Sequence, residues 1–255
     1  MKGPVVVIGI GEMGGVFARG FLRNGHPVYP VTRGESPAKM APQVPEPELV
    51  MVAVAETDLH SALADLPPSW RHRTGLLQNE LLPRDWEQHD VHNPTVISVW
   101  FEKKKGQDAK VIIPSPVYGP KAELVHDALG SIGIPCRVLS NSQQLLHELV
   151  LKNVYILTTN ISGLVTNGTV GELWDRHRDL ARQVAGDVMD IQESLTGRTF
   201  DRDALIEGMV EAFEGDLDHK CMGRSAPARL ERALEQATQA GLEVPKLREI
   251  RRSLD

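Results

Sequence analysis

Gly9, Gly11 and Gly14 fit a G-x-G-x-x-G spacing near the start of the chain, and that spacing suits the holding of a pyrophosphate. The first glycine permits a tight turn, the second lets a phosphate approach the backbone, and the third lets the following helix pack on the preceding strand. N–H groups at the helix start would face the phosphates. Gly9, Ile10, Gly11, Glu12, Met13 and Gly14 are therefore the expected dinucleotide contacts. Glu12 fits only if its carboxylate turns away from that pyrophosphate. Farther on, Thr32-Arg33-Gly34 and Glu35-Ser36 stand where an acid would bond the ribose of NAD. Arg33 can instead make charge-assisted bonds to a 2'-phosphate. NADP is the expected cofactor, read by Thr32 and Arg33, while Glu35 keeps an NAD reading open.

A third set of reactive residues lies in the run Leu145 to Ile161, which is apolar nearly all the way round in its middle and so reads as a buried helix. A lysine and asparagines there cost several kcal/mol each if left unpaired, so they need partners or a cavity. Lys152, Ile156 and Asn160 are four apart and share one slowly drifting stripe. Asn153 stands about 100° round from it. Glu148 precedes Lys152 by four, so an ion pair with a snorkelling lysine accounts for the same spacing.

The elements that must position these residues alternate. Val5 to Ile8 has no polar alternation, as in a parallel strand covered on both faces. A helix with Val16, Phe17, Gly20 and Phe21 follows, then the Asn24-Gly25-His26 turn and a strand from Val28. Ala38 to Pro47, rich in proline, reads as a crossing loop, and Leu49 to Val54 as a third strand. Thr57 or Asp58 can cap the next helix, which carries Leu59, Ala62, Leu63 and Leu66. Gly75-Leu76-Leu77 is a fourth strand, and ligands in such sheets bind at the strands' carboxyl ends, where Asn79 emerges.

From Thr95 an antiparallel hairpin, Val96 to Phe101 and Ala109 to Ile113, is expected to extend the sheet, with Lys103-Lys104-Lys105 at its solvated end. A helix from Lys121 to Ser131 and a strand from Pro135 to Leu139 follow, and Ser140 with Gln143 has capping-box spacing. Beyond it only helical patterns appear: Gly171 to Leu195, Arg202 to Phe213 and Ala226 to Ala240, then Gly241 as a stop and a segment from Pro245. The expected fold class is α/β, a Rossmann-type mostly parallel sheet over residues 1–140 and an all-helical domain, for substrate and dimerisation, over 141–255.

The 255 residues suffice for one large or two modest domains. A formal charge of −6 gives no general attraction to nucleic acid or an anionic membrane. Cys136 and Cys221 do not resemble a secreted disulfide framework and read as structural thiols. No apolar run is long enough to span a bilayer, and a cytoplasmic location is expected. No metal is called for: His89, Asp90 and His92, or Asp216, Asp218, His219 and Cys221, read as surface or structural residues, and Asp175 to Asp179 as a solvated helical turn.

The glycine turn, Arg33, Gln78-Asn79, and Glu148 to Lys152 to Asn160 followed by Asn167 and Gly171-Glu172-Leu173 resemble ketopantoate reductase, the 2-dehydropantoate 2-reductase family. The tail Ala240 to Pro245 is also similar. The resemblance implies NADPH as hydride donor and a small 2-keto acid in the cleft between the domains. It implies that Lys152 donates the proton to the forming alkoxide, with Asn79 and Asn160 holding that lysine and the substrate. An ammonium there can stabilise the charge that reaches oxygen and then supply a proton. Partners would be that small molecule and a second copy in a homodimer. The chain departs from the family at Ile156 and Val170, where asparagines are usual, at Ala55-Glu56, where a lysine is common, and at Gly223 to Arg229, where a glutamate-bearing segment is expected. Two other readings stay open: an NADP-binding sensor or interaction protein on the same fold, and an imine reductase or 3-hydroxyacid dehydrogenase.

Overall fold

The computed structural model describes residues 2–254 and divides into two compact units, Met1–Leu149 and Val150–Asp255. In the first, β1 (Val5–Ile8), α1 (Glu12–Arg23), β2 (Val28–Val31), α2 (Pro37–Met40), β3 (Leu49–Val52), α3 (Leu59–Ala64), α4 (Pro68–Arg71) and β4 (Thr74–Leu76) follow in order. They continue into α5 (Pro83–Glu87), β5 (Thr95–Ile97), β6 (Phe101–Glu102), β7 (Lys110–Val111), β8 (Ser115–Tyr118), α6 (Ala122–Ser131) and β9 (Cys136–Val138). One seven-stranded sheet runs β2-β1-β3-β4-β5-β8-β9. Every pairing in it is parallel except β5 with β8.

The uninterrupted apolar strands are central, as their composition requires: Val5 to Val7 in β1 and Leu49 to Val52 in β3 have no exposed surface. Phe17 and Phe21 of α1 and Val125, Ala128 and Leu129 of α6 cover one face. The helices approach closely at Gly20, where a Cβ would stand 2.7 Å from the Ala128 carbonyl oxygen.

The hairpin does not extend the sheet. β6 and β7 pair only with each other, and the strand beside β5 is β8. Pro114 and Pro116 disguise β8 in the sequence. Ser98 donates its N–H to the Pro116 carbonyl at 2.9 Å. The reciprocal bond lacks a donor, so β5 ends at Ile97 and Pro116 sits where pairing stops. Asp58 makes no side-chain cap to α3; the Ser61 hydroxyl donates to the Asp58 carbonyl instead.

The second unit is helical: the rest of α7 (Ser142–Thr166), then α8 (Val170–Arg176), α9 (Arg178–Thr196), α10 (Arg202–Gly215), α11 (Ala226–Ala240) and α12 (Pro245–Ser253). α7 starts one residue from the expected cap. Asn141 accepts from the Gln144 N–H, and the Gln144 side chain accepts from the Ser140 N–H, both at 2.9 Å. Its first turns belong with the sheet, because Glu148 is bonded to Arg137 of β9; the unit limit accordingly falls inside the helix rather than at residue 140. Gly171 to Leu195 is two helices, broken at His177. Thr169 and Glu172 start α8 with a reciprocal capping box. Gly241, at φ 68°, stops α11, and the buried Asp187 carboxylate accepts from the Lys246 and Leu247 N–H groups that open α12. Burial raises that carboxyl group above its usual range, and the two N–H bonds oppose the rise. Among the described residues no helix is long and apolar enough to cross a membrane.

Candidate active-site elements

The three glycines of the turn have three different surroundings. Gly9 leaves β1 at φ 90°, and a Cβ there would meet the Ala53 carbonyl oxygen at 2.8 Å. A Cβ on Gly14 would lie 1.9 Å from the Gly9 carbonyl oxygen. Around Gly11 nothing lies within 4 Å of that position. Gly9 makes the turn, Gly14 brings α1 onto it, and Gly11 leaves backbone open to a ligand. Gly11 also stands at the N-cap of α1 without a side-chain cap, so the first N–H groups of the helix have no capping side chain over them.

A groove of about 650 Å³ runs from Gly9, Ile10 and Gly11 to Thr32, Arg33 and Glu35 beyond β2. The residues present therefore fit an extended phosphate-bearing dinucleotide: open amides at one end and a guanidinium at the other. One feature opposes a 2'-phosphate. The Glu35 carboxylate accepts from the Thr32 hydroxyl at 2.6 Å and from the Thr32 N–H at 2.7 Å. Chiefly the hydroxyl bond, then the N–H bond, holds this exposed carboxyl group below its usual range. Glu12 does turn to a partner: its Oε2 lies 3.0 Å from Lys103 Nζ.

Gln78 ties two strand ends together. Its amide donates to the Val52 carbonyl at 2.8 Å and to the Val54 carbonyl at 3.3 Å, while its Oε1 accepts from the Leu77 N–H. This fixes the exit of β4, from which half-buried Asn79 follows, before Glu80 takes φ 58°.

In the second unit Lys152 and Asn160 lie on α7 at 8% and 9% exposure. Asn160 donates to the Cys221 carbonyl at 3.2 Å, and its Oδ1 accepts from Arg229 Nη1 at 2.9 Å. Its contacts thus fix the Arg229 guanidinium. Burial first, and the Arg229 charge second, lower the Lys152 amine from an ordinary 10.5 to about 7. Nζ also lies 5.6 Å from the centre of the Tyr155 ring. Asn153 is structural and bonds the Gln192 side chain at 2.8 Å. Glu148 takes Arg137, so the surface-pair account of the Glu148 to Lys152 spacing does not describe this helix.

Arg229 is the residue the sequence reading passed over, registering only that its segment lacks an acid. A signal was present. Arg229 falls on the same stripe of α11 as Ala226, Leu230, Ala233 and Ala237, and all five are buried. A cation on an apolar stripe has to be explained by something at that stripe.

The cysteines are inert: burial pushes the Cys136 thiol up to about 12 and the Cys221 thiol up to about 11. Among the described residues His89 belongs to no group with metal-ligand geometry; it contacts His60 at 3.0 Å. Among the described residues the grouping with metal-ligand geometry is Glu123, His126 and Asp127, at the surface of α6.

No family model matches this sequence. No curated protein matches it. Solved structures do. One is 2-dehydropantoate 2-reductase from Methylococcus capsulatus, at TM-score 0.70 and 12% identity, with 97% of this chain and 94% of that one covered. A dimeric ketopantoate reductase from Staphylococcus aureus matches at 0.68 and 16%, over 97% and 96%. D-mandelate dehydrogenase in complex with NADH matches at 0.69 and 13%, over 98% and 96%. At such identities the likeness establishes the fold, and this chain has the fold of the ketopantoate reductases.

Proposed function

We propose that this chain is a divergent ketopantoate reductase-like oxidoreductase that reduces the carbonyl of a small 2-keto acid with NADPH, working as a homodimer. The observation that carries the proposal is the buried Lys152, whose amine is brought to about 7. A general acid works best with a pKa near the working pH, and a lysine in water is far from it. An oxygen gaining negative charge beside that ammonium and the Arg229 guanidinium would be stabilised.

Bound in the groove, a reduced nicotinamide would supply a hydride to the carbonyl carbon. The chain does the rest: Gly9 to Gly14 hold the pyrophosphate, Thr32 and Arg33 hold the adenosine end, and the Lys152 ammonium passes a proton to the carbonyl oxygen. Lysine is left neutral and takes its next proton from water. Burial and, after it, the Arg229 charge keep the amine acidic enough to give its proton up, and Asn160 keeps Arg229 in place. Asn79 is assigned to the substrate side of the nicotinamide, since it follows β4 at the carboxyl end of the sheet.

The test is a panel of 2-keto acids with NADPH and with NADH, followed by loss of reduced-cofactor absorbance. Turnover with at least one acid, lowered by roughly 10²-fold or more in Lys152→Met, is expected. Tight cofactor binding without any turnover would replace this reading with the sensor reading. That alternative draws on the segment ending in Arg229, which carries a base where the resemblance calls for an acid.

A further inference from the structure

We infer that Lys103 is a pyrophosphate-binding residue of the glycine turn, and that it acts jointly with Glu12. The inference rests on the dinucleotide reading of that turn. It concerns a part of the cofactor common to NAD and NADP, unlike the contacts of Arg33.

Glu12 opens α1, where helix N–H groups would receive an anion. A carboxylate in that first turn favours the free helix but repels a bound phosphate. The turn is therefore workable only if something offsets Glu12. Lys103 does so from 91 residues away, with Nζ 3.0 Å from Glu12 Oε2. Its Nζ also donates to the Lys104 carbonyl at 2.8 Å, so the ammonium is held from two sides. The three consecutive lysines differ accordingly: the Lys103 side chain is 21% exposed and that of Lys104 62%, and Lys105 is exposed as well.

The small sheet of β6 and β7 is what brings Lys103 there. Phe101, the residue two before it, is buried against Phe17 of α1 with ring centres 6.2 Å apart. Ala109 and Val111 on the return strand pack on the same core. The hairpin is thus clamped to the flank of α1. Between them lies a groove of about 330 Å³ lined by Gly11, Glu12, Gly15, Arg19 and Lys103. Glu12, Gly15 and Arg19 follow helical spacing along one face, so an anion at Gly11 meets Lys103 on one side and Arg19 a little farther along. An exposed ion pair contributes little to folding. Holding a lysine on a carboxylate at this mouth makes sense if the lysine serves a ligand.

The experiment is a double-mutant cycle on the full chain, with Lys103→Ala, Glu12→Gln and the pair combined. Calorimetric titration with NADP, NAD and ADP-ribose reads the binding. Lys103→Ala should weaken all three ligands alike, by about tenfold, the size of one charge-assisted contact. Glu12→Gln should bind as tightly as the parent or tighter. The combined variant should recover part of the loss, because the uncompensated carboxylate is gone while the contact of the ammonium is not restored. Melting temperatures should stay within a few degrees of the parent, and Lys103→Gln is the second variant should the alanine misfold. Unchanged affinity in Lys103→Ala, or losses in the combined variant as large as in Lys103→Ala alone, would overturn the inference. A parent protein that binds none of the three ligands would instead overturn the dinucleotide reading beneath it.

Discussion

The glycine turn and the α7 cluster solve opposite problems. At the turn the protein removes side chains and leaves its backbone open: Gly9 and Gly14 have no room for a Cβ, and Gly11 faces open space. On α7 it buries a side chain that would rather be in water, Lys152, and α11 brings the buried Arg229, whose charge further disfavours the ammonium. The first arrangement is compatible with stability, because a glycine that fits its turn is unstrained there. The second works against stability, because burial and the neighbouring guanidinium disfavour the charged amine. Binding sites of the first kind are local and carry a sequence motif. Sites of the second kind are assembled from distant helices and leave little trace in any one stretch.

Lys152 tests the contrast most severely. Lys152→Met should lower turnover by roughly 10²- to 10⁴-fold, the range of a positioned general acid, while leaving dinucleotide affinity near that of the parent. The same change should stabilise the fold. The folded amine titrates at about 7 against 10.5 in an unfolded chain, so the unfolded state binds more protons across that window and the parent gains stability as pH rises through it. The melting-temperature gain of the methionine variant is therefore expected to be largest below pH 7 and to shrink toward pH 10. A variant that is less stable than the parent at pH 6 would show that Lys152 is not a buried penalty at all.

Two glycines separate folding from binding within the turn. Gly14→Ala places a methyl 1.9 Å from a backbone oxygen, an overpacking worth about 1–3 kcal/mol or more, or several degrees of melting temperature for a chain of this size. Gly11→Ala meets no protein atom within 4 Å. Its melting point should hold while dinucleotide affinity falls, because the methyl occupies the approach to the amides. If Gly11→Ala binds cofactor as well as the parent does, the open face of the turn is not a phosphate seat.

The same contrast explains what could be read from the sequence. Strands β1 and β3 were legible because a strand covered on both faces has to be apolar at every position, and Val5 to Ile8 and Leu49 to Val52 are. β8 was not, because Pro114 and Pro116 argue against a strand and only the early end of β5 makes Pro116 harmless. Gly9, Gly11 and Gly14 were legible as a motif. Lys103 was hidden in a run of three like residues, distinguished only by where its hairpin is clamped. Arg229 was visible as a cation on an apolar stripe, but its meaning depends on Asn160, 69 residues earlier. Spacing along one helix finds Lys152 and Asn160 together; it cannot find what a second helix brings to them.

Arg229 sharpens the electrostatic half of the comparison. Arg229→Gln keeps a hydrogen-bond donor for Asn160 and removes the charge that helps lower Lys152. Activity that depends on protonated Lys152 falls as pH rises through its pKa, so in the variant that fall should move to higher pH. Arg229→Lys should leave it near its original place, since the charge survives. Burial is the larger cause of the depressed value, and the edge should therefore not return to that of a free lysine. An unmoved edge in Arg229→Gln would mean that the two cations do not sense each other during the reaction.

The smallest effect belongs to the far end of the groove, where backbone and side chain compete. On the proposed reading Arg33 would favour a 2'-phosphate, while Glu35 already occupies the Thr32 hydroxyl and N–H. To seat the phosphate, those donors must be released or shared, and a carboxylate held below its usual range stays charged beside it. The arginine's contribution is thus partly cancelled. Arg33→Ala should weaken NADPH by about tenfold, a single charged contact at an exposed site, and change NADH little. Glu35→Gln should act in the other direction, tightening NADPH by a smaller factor while loosening NADH, whose bare ribose hydroxyl can donate to the carboxylate. The ratio of the two dissociation constants, measured in both variants, decides the matter. Equal losses for both cofactors in Arg33→Ala would remove Arg33 as the phosphate reader and leave Glu35, with its ribose contact, as the residue that sets the preference.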